Sequence, residues 1–362
     1  MEENKIQMGF AAIDKLLESS IPVLEEVETK GKQFIYYGTD NMYPQYLYEL
    51  YNDVATLKTI IEGTADYVAG DDATCNISGF EFEVNRKGMT ARELINALAR
   101  DYIIYGGYAF QVIRNALGVP AELNYLDFRY CRCDKENEII YYNEDYIKKW
   151  GRMSKTVVYP KFIPEATGVS SSIVYVKNNL STTYPIPRYS GAIKACEIER
   201  HIDDLHLNSL ENGFMGSYLI NFASGIPDDE QKKEIEKNVT EKFAGSQNAG
   251  RILLNFSIGK ENAAEVQKLE IEDFSEKYKA AADRSREQIF IAFRAIPQLF
   301  GNETASTGFN MQEFQEAFKL FNKTVIKPIQ RVITDNFDKV FGVKGSFTIT
   351  PFNIEDNQTN VM

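Results

Sequence analysis

Apolar positions in the first part of the chain recur at helical spacing in two places. Between the turn Asp40–Pro44 and Gly70 the spacing predicts one continuous helix, with Pro44 in its first turn. Thr90 and Glu93 have the spacing of a capping box and predict a second helix that runs toward Tyr105. The apolar positions of the first helix are Leu47, Leu50, Leu57, Ile61 and Ala65.

Strand-like alternation surrounds the second helix. Phe80–Val84 reads FEFEV, which predicts a strand with one buried face. Six further short strands are predicted, and polar turns such as Asp134–Asn137 between them indicate antiparallel hairpins. They are Tyr108–Arg114, Ala121–Leu126, Arg129–Cys133, Ile139–Tyr142, Thr156–Tyr159 and Ile173–Val176.

The pattern changes after Pro187, where two long helices are predicted over Gly191–Asn212 and Phe274–Ile296. Each helix is about 33 Å long at 1.5 Å per residue. Two apolar stripes on the first helix suit a helix in a ring of subunits and equally a helix buried within one subunit. The stripes are Ala195, Ile198, Ile202 and Leu205, and Leu207, Leu210 and Phe214. Between the helices lie a strand at Tyr218–Phe222, a helix that starts at Pro227 and a strand at Arg251–Phe256.

Proline and glycine divide the rest of the chain. Pro297 is expected to end the second long helix, because proline lacks an amide proton. Gln298–Asn310 is a loop rich in Gly, Ser and Thr, and a third helix over Met311–Phe341 is expected to break at Pro328. Gly342–Met362 is expected to be a strand and a tail. The whole pattern predicts an α+β fold.

The amino-acid composition limits the functional classes to which the chain can belong. The chain has 362 residues, is 44% apolar and carries a net charge of −12. This charge argues against tight nucleic-acid binding, yet it is compatible with a protein that lets DNA pass. The pattern shows no transmembrane stretch and no signal peptide, and four cysteines suggest a reduced compartment.

Candidate catalytic chemistry is sparse. Cys131 and Cys133 lack the spacing and the second pair of a metal site, so ordinary strand residues are expected. His201 and His206 lie five apart on a helix and do not share a face. The acidic pairs Asp71–Asp72 and Asp203–Asp204 are typical of solvated surface. The sequence also has no phosphate loop, dinucleotide fingerprint or GxSxG motif, so neither an enzyme nor a bound cofactor or metal is expected.

The order long helix, small α/β insert, long helix, proline-terminated loop and helix resembles that of bacteriophage portal proteins of the HK97 type. The resemblance covers about residues 35–345. It departs from the family where Gly216 and Ser217 replace a usual proline, and a crown domain after Phe341 is expected to be minimal. Five segments carry it: Asp40–Pro44, Pro187–Phe214, Pro227–Leu254, Phe274–Gly301 and Asn310–Glu313.

The resemblance implies a division of the chain into portal domains. It comprises an N-terminal arm (1–34), a wing (35–186), a stem helix (187–213), a clip (214–272), a second stem helix (273–296), a tunnel loop (297–310), wing and crown helices (311–341) and a C-terminal strand and tail (342–362).

The resemblance also implies a function. Family members form a ring, typically of twelve subunits, at one capsid vertex, through which double-stranded DNA is packaged and ejected. The terminase large subunit and a tail adaptor dock on the clip, and the ring contacts the major capsid protein. The expected location is the virion, after assembly in the host cytoplasm and without a membrane. The alternatives are another phage head–tail ring protein and an acidic intracellular metal-dependent enzyme.

Two sets of site residues follow from the resemblance. Neutral side chains of the tunnel loop are candidates for transient DNA contact, since they bind phosphate without releasing counterions, although a plain surface loop has the same composition. Three acids at the start of the clip helix are candidates for the terminase contact, or equally only cap that helix. The loop residues are Gln298, Asn302, Thr304, Ser306, Thr307 and Asn310, and the acids are Asp228, Asp229 and Glu230.

Overall fold

The computed structural model divides the chain into two compact units. The larger comprises Met1–Cys196 and Glu287–Met362, and the smaller comprises Glu197–Arg286. Both contain helix and strand, which confirms the α+β class. The structure describes residues 22, 24–28, 33–146, 155–166, 168–211, 218–222, 252–256, 274–301 and 311–352.

Short strands join distant parts of the larger unit. β1 (Glu26–Val27) pairs with β2 (Tyr36–Tyr37) in antiparallel orientation. β3 (Asp72–Cys75) pairs in the same way with the last strand, β12 (Phe347–Thr350). The predicted C-terminal strand is therefore present, and it ties the end of the described chain to its first quarter.

The single helix predicted before Gly70 is two helices, α1 (Tyr43–Asp53) and α2 (Ala55–Ala69). Val54 separates them with an extended backbone, φ −100° and ψ 107°, and its side chain is fully buried. The sequence pattern misses this break because the apolar stripe resumes in phase after one residue. Gly70 ends α2 as expected, at φ 73°. The predicted apolar positions are all buried: Leu47, Leu50, Leu57, Ile61 and Ala65.

The capping box opens α3 (Ala91–Tyr105) as predicted. The Glu93 N–H donates to Thr90 Oγ1 at 3.2 Å, and the Thr90 N–H donates to Glu93 Oε2 at 2.9 Å. Gly106 ends the helix at φ 82°, and a Cβ there would lie 2.4 Å from the carbonyl oxygen of Ile186. This position therefore requires glycine.

The strand predicted at Phe80–Val84 is wrong, since this described segment has irregular backbone. Phe80 and Val84 are buried, whereas Phe82 is 87% exposed. The Val84 N–H donates to the carbonyl oxygen of Met89, within a local turn and not to a neighbouring strand. The alternation therefore marks two side chains that anchor a loop to the core.

The predicted hairpins are confirmed in two antiparallel sheets. In the first, β4 (Gly107–Arg114) lies between β5 (Pro120–Leu126) and β9 (Ser171–Lys177). The second has the order β6 (Cys131–Cys133), β7 (Ile139–Tyr142) and β8 (Val157–Pro160). β6 is shorter than predicted because Phe128–Tyr130 forms a 3₁₀ turn, in which Asp127 accepts a hydrogen bond from the Arg129 N–H.

Two long helices reach from the larger unit into the smaller one. They are α4 (Ile193–Glu211) and α5 (Phe274–Phe293), each slightly shorter than predicted. The smaller unit also holds a parallel pair of strands, β10 (Tyr218–Phe222) and β11 (Ile252–Phe256). Both strands lie where the sequence predicts them, to within one residue.

The first apolar stripe of α4 is only partly covered within the chain. Ala195 and Ile202 are buried, whereas Ile198 is 45% and Leu205 is 40% exposed. Leu207, in the second stripe, is also exposed. The side chains of Leu210 and Phe214 lie outside the described residues.

The C-terminal helix predicted to break at Pro328 follows a continuous helical path. α6 (Met311–Phe321) leads through a π-helical segment, Asn322–Ile326, into α7 (Lys327–Phe341). A proline removes one amide donor and its ring displaces the carbonyl four residues earlier. The wider π turn directly before Pro328 accommodates both effects, so the helix changes its hydrogen bonding and does not stop.

Aromatic side chains fix α7 in the core of the larger unit. The Phe337 ring centroid lies 5.2 Å from that of Phe110 on β4 and 4.1 Å from that of Phe347 on β12. Tyr108 Oη also donates to the carbonyl oxygen of Val332 at 3.0 Å. These contacts place α7 across one face of the β4 sheet.

Candidate functional site

The helix α5 ends before the segment for which a loop is predicted. It stops at Phe293, so the prediction that Pro297 ends it is corrected. Arg294 takes a left-handed backbone at φ 53°, its N–H donates to the carbonyl oxygen of Ile291, and the Ala295 N–H donates to that of Phe290. These two hydrogen bonds form a Schellman motif, which ends the helix four residues before Pro297. Glycine usually occupies this left-handed position, and here it is an arginine.

A 3₁₀ turn over Pro297–Phe300 then attaches the chain to α2. Leu299 is buried, and its carbonyl oxygen accepts a hydrogen bond from Tyr67 Oη at 3.0 Å. Burial, with a smaller contribution from the charge of Asp66, raises the pKa of Tyr67, so the hydroxyl stays protonated as a donor. Gln298 lies in this turn with an exposed side chain. The entry to the predicted loop is thus held at a defined place.

The helix that follows the predicted loop contacts the same residue of α2. The Tyr67 ring lies edge-on to Phe300 in the 3₁₀ turn, at 6.1 Å between centroids, and to Phe318 and Phe321 on α6, at 5.4 and 6.3 Å. Phe352 completes the group at 5.7 Å. Such edge-to-face pairs are a favoured aromatic geometry. We call these five side chains the loop base.

Gly63 leaves room for the loop base. A Cβ at this position would lie 3.0 Å from two atoms of the Phe300 ring, which is closer than normal packing allows. Gly63 is one helical turn before Tyr67, so both face the same side of α2. Neither residue of this pair is among the predicted site residues. The available signal was a glycine inside a helix of strong apolar periodicity, where it weakens the helix and often has a packing reason.

The other predicted site residues lie outside the described part of the chain. Among the six loop residues the structure describes Gln298 alone; the rest, Asn302, Thr304, Ser306, Thr307 and Asn310, fall in residues 302–310. The three acids of the predicted clip helix, Asp228, Asp229 and Glu230, are likewise outside the described residues. Their roles stay predictions.

The cysteine pair lies inside β6. Cys131 and Cys133 are both buried and free. Burial raises the pKa of Cys131 well above the usual value and that of Cys133 to about 12, so both thiols are protonated at neutral pH. A protonated buried thiol is a poor nucleophile and a poor metal ligand.

The histidines and acidic pairs occupy surface positions. His201 is exposed on α4, with its ring nitrogens 3.9 Å from carboxylate oxygens of Glu197 and Asp204. Asp71 directly precedes β3 and Asp72 is its first residue, and both are exposed. Among the described residues, histidine, cysteine and acidic side chains form no group of three that could bind a metal ion. In the same part of the chain, every helix is too short or too polar to span a bilayer.

Comparisons with known proteins agree with this architecture. An uncharacterized protein of Rickettsia bellii is 29% identical over 176 residues, which cover 47% of this chain and 43% of the relative, so the match spans less than half of that protein's length. A chain in the neck of a native gene transfer agent particle, computed with C12 symmetry, has a TM-score of 0.52 at 19% identity. A chain in the neck of the empty particle, computed with C6 symmetry, has a TM-score of 0.53 at 18% identity.

Both neck structures match over most of their length. Each alignment covers 88% of this chain and 86% of the solved chain, and at these identities the likeness is one of fold. The sequence model of the family described as Phage portal protein matches residues 83–357. This range includes the two sheets, both long helices and four of the five loop-base residues, since Tyr67 precedes it. The match confirms the resemblance seen in the sequence, and the chain belongs to the phage portal protein family.

Proposed function

We propose that twelve copies of this chain form a ring at one vertex of a phage capsid, as a structural protein without enzymatic activity. The family match supports a portal role, and the likeness to neck proteins computed with C12 and C6 symmetry supports a ring. Exposed apolar residues on α4, Ile198 and Leu205, are suited to contact with a neighbouring copy. The major capsid protein surrounds the ring in this proposal.

The central channel of the ring carries double-stranded DNA during packaging and ejection. The observation that supports this most strongly is the loop base, in which Tyr67 on α2 contacts Phe300 before residues 302–310 and Phe318 after them. In this proposal the segment between these two contacts projects into the channel and touches DNA. Residues 297–310 contain no lysine or arginine, so contacts with passing phosphates would be weak and transient.

We further propose the domain division implied by the sequence. Residues 35–186 form the wing, 187–213 and 273–296 the stem, 214–272 the clip, and 297–310 the tunnel loop. The clip docks the terminase large subunit and later the tail adaptor, with Asp228, Asp229 and Glu230 in the terminase contact. The arm at 1–34, the helices at 311–341 and the segment 342–362 complete the chain.

Particle size and symmetry test the ring. Twelve subunits of 41.2 kDa give a mass of about 494 kDa, which light scattering on the purified chain distinguishes clearly from a monomer or dimer. Electron micrographs of negatively stained particles should show rings with a central channel. A chain that stays monomeric or dimeric at every concentration would refute the portal assembly.

Lysine substitutions test the DNA-facing loop. Asn302, Thr304 and Thr307 are replaced together by Lys, and DNA translocation and retention are measured in assembled heads. We expect normal rings and slowed, salt-sensitive DNA passage, because each lysine adds a phosphate contact with counterion release. The control carries the same added charge at the exposed positions Asn52, Thr59 and Ser181. Wild-type passage of the loop variant at low salt would remove the loop from the channel wall.

Charge reversal tests the clip contact. Asp228, Asp229 and Glu230 are changed to Lys, and binding of the terminase large subunit to preformed rings is measured. We expect weaker binding with intact rings. The control reverses three exposed acids of the larger unit: Glu136, Glu138 and Glu165. Equal terminase binding by the two triple variants would assign the clip acids to helix capping alone.

A further inference from the structure

A cavity of about 500 Å³ lies in the larger unit, beside the start of the predicted tunnel loop. Five segments line it: α2, α3, the stretch before α4, the end of α5 and the junction of the π-helical segment with α7. Ile103, Phe293 and Ile329 form apolar walls. The cavity therefore has the size of an ordinary binding pocket, with a lining that is about half polar and half apolar.

Two arginines give this cavity a positive charge. Arg188 and Arg294 both line it, both are exposed, and neither forms an ion pair within the described part of the chain. The Arg188 guanidinium carbon lies 5.5 Å from the ring centroid of Tyr102, which orients it over the wall of the cavity. Thr64 also lines the cavity, and its buried Oγ1 has no hydrogen-bond partner among the described residues.

The backbone places Arg294 at this cavity at an energetic cost. The left-handed conformation at φ 53° is one that non-glycine residues rarely adopt, and the Schellman motif at the end of α5 imposes it. Glycine would fit the same turn without strain. Residues held in such conformations are concentrated at ligand and switch sites. The lining also contains part of the π-helical segment, Thr324 and Val325, and π segments are frequent at functional sites.

We propose that this cavity receives an acidic side chain from a neighbouring copy of the chain in the ring. An arginine pair is suited to carboxylate because the planar guanidinium donates two parallel hydrogen bonds. The apolar walls suit the hydrocarbon stem of the incoming side chain, and the Thr64 hydroxyl supplies a further donor. The contact is head-to-tail, with the cavity on one copy and the acid elsewhere on the next, which is the type of interface that closes a ring.

Charge favours this occupant over DNA. Each copy carries 52 acidic and 40 basic residues, so a neighbouring copy presents more carboxylates than competing cations. The same net charge of −12 repels a phosphate backbone at long range. The inference rests on the proposed ring, and the experiment below separates the two.

Cross-linking between isotopically distinct copies tests the contact directly. Arg188→Lys and Arg294→Lys variants are prepared with and without ¹⁵N, and the two preparations are mixed, assembled and treated with a carbodiimide. This reagent joins a lysine amine to a carboxylate in direct contact, with loss of water. We expect amides at position 188 or 294 that join a ¹⁵N peptide to a ¹⁴N peptide. The control is Arg331→Lys on α7, which is exposed and does not line the cavity.

Charge reversal provides the second measurement. We expect Arg188→Glu with Arg294→Glu to raise the subunit concentration at half-assembly about tenfold, and Arg331→Glu to change it less than about twofold. The difference should shrink near 1 M salt, where charges are screened within about 3 Å. The inference would be overturned if the cross-links at 188 and 294 joined only peptides of one isotope. It would also be overturned if the double variant assembled like Arg331→Glu. Loss of DNA binding with unchanged assembly would also overturn it and assign the cavity to phosphate. Failure of the unmutated chain to form rings would instead refute the proposed function.

Discussion

Tyr67→Phe isolates the hydrogen bond that holds the entry of the predicted tunnel loop. The change removes the donor to the carbonyl oxygen of Leu299, 3.0 Å away, and keeps the ring that contacts Phe300, Phe318 and Phe321. The aromatic part of the loop base therefore stays in place. Only the polar link between α2 and the 3₁₀ turn is lost.

The expected cost follows from this geometry. An intramolecular hydrogen bond contributes about 1 kcal/mol net, and a buried acceptor left without a donor costs about 1–3 kcal/mol. Leu299 is only 7% exposed, so water replaces the lost donor poorly. We expect the free energy of unfolding to fall by about 1.5 kcal/mol. If the turn opens locally, the amides of residues 295–301 should exchange about tenfold faster, since 1.4 kcal/mol corresponds to a factor of ten.

Urea unfolding and amide hydrogen exchange of the full chain are the assays. The control is Tyr48→Phe on α1, because the Tyr48 hydroxyl makes no hydrogen bond to any described residue while its ring packs against Arg129. The pKa of Tyr67 is raised, so its contribution is complete below the unfolded value of about 10 and is lost at higher pH. The difference between wild type and Tyr67→Phe should therefore narrow above about pH 10. Equal stability and equal exchange in the two variants would refute the anchoring role of Tyr67.

Three further substitutions test other features of the fold. Thr90→Ala should lower the free energy of unfolding by about 1 kcal/mol in urea, because it removes the N-cap of α3, and Thr90→Ser should restore it. Arg132→Met should lower the free energy of unfolding by about 3 kcal/mol or more, since the fully buried guanidinium donates hydrogen bonds to Asn41 and to several backbone carbonyls. A Tm equal to that of the wild type would contradict this. In Asp338, burial acts to raise the pKa, but hydrogen bonds from Ser346 and its neighbour lower it overall. Its stabilising effect is therefore present above about pH 4 and lost as pH falls, so acid titration of wild type and Asp338→Ala should converge below about pH 3.

Features set by neighbouring residues were predictable from the sequence. The capping box at Thr90, the strands Ile139–Tyr142 and Tyr218–Phe222, and the end of α2 at Gly70 all lie where the pattern places them. Each depends on residues within about four positions, where periodicity and turn chemistry act directly. The family was also identifiable from the order of such elements, and the family match confirms it.

Features set by distant residues required the structure. Val54 interrupts a stripe that looks continuous, and Phe80–Val84 alternates but forms no strand, although the Leu123 N–H of β5 donates to the carbonyl oxygen of Val84. The break expected at Pro328 becomes a π turn inside a continuous helix. In each case the local pattern permits two backbone paths, and packing in the core selects one of them.

The sequence by itself determined the type and order of most elements, the acidic charge and the family. Tertiary structure alone decided which residues of α2 contact the chain on either side of residues 302–310 and where an arginine with a left-handed backbone lines a cavity. Tyr67 and Leu299 are 232 positions apart, and their hydrogen bond exists because α2 and the 3₁₀ turn pack together. The physical reason is that periodicity reports which face of an element is buried, whereas the partner on that face depends on the packing of the whole core.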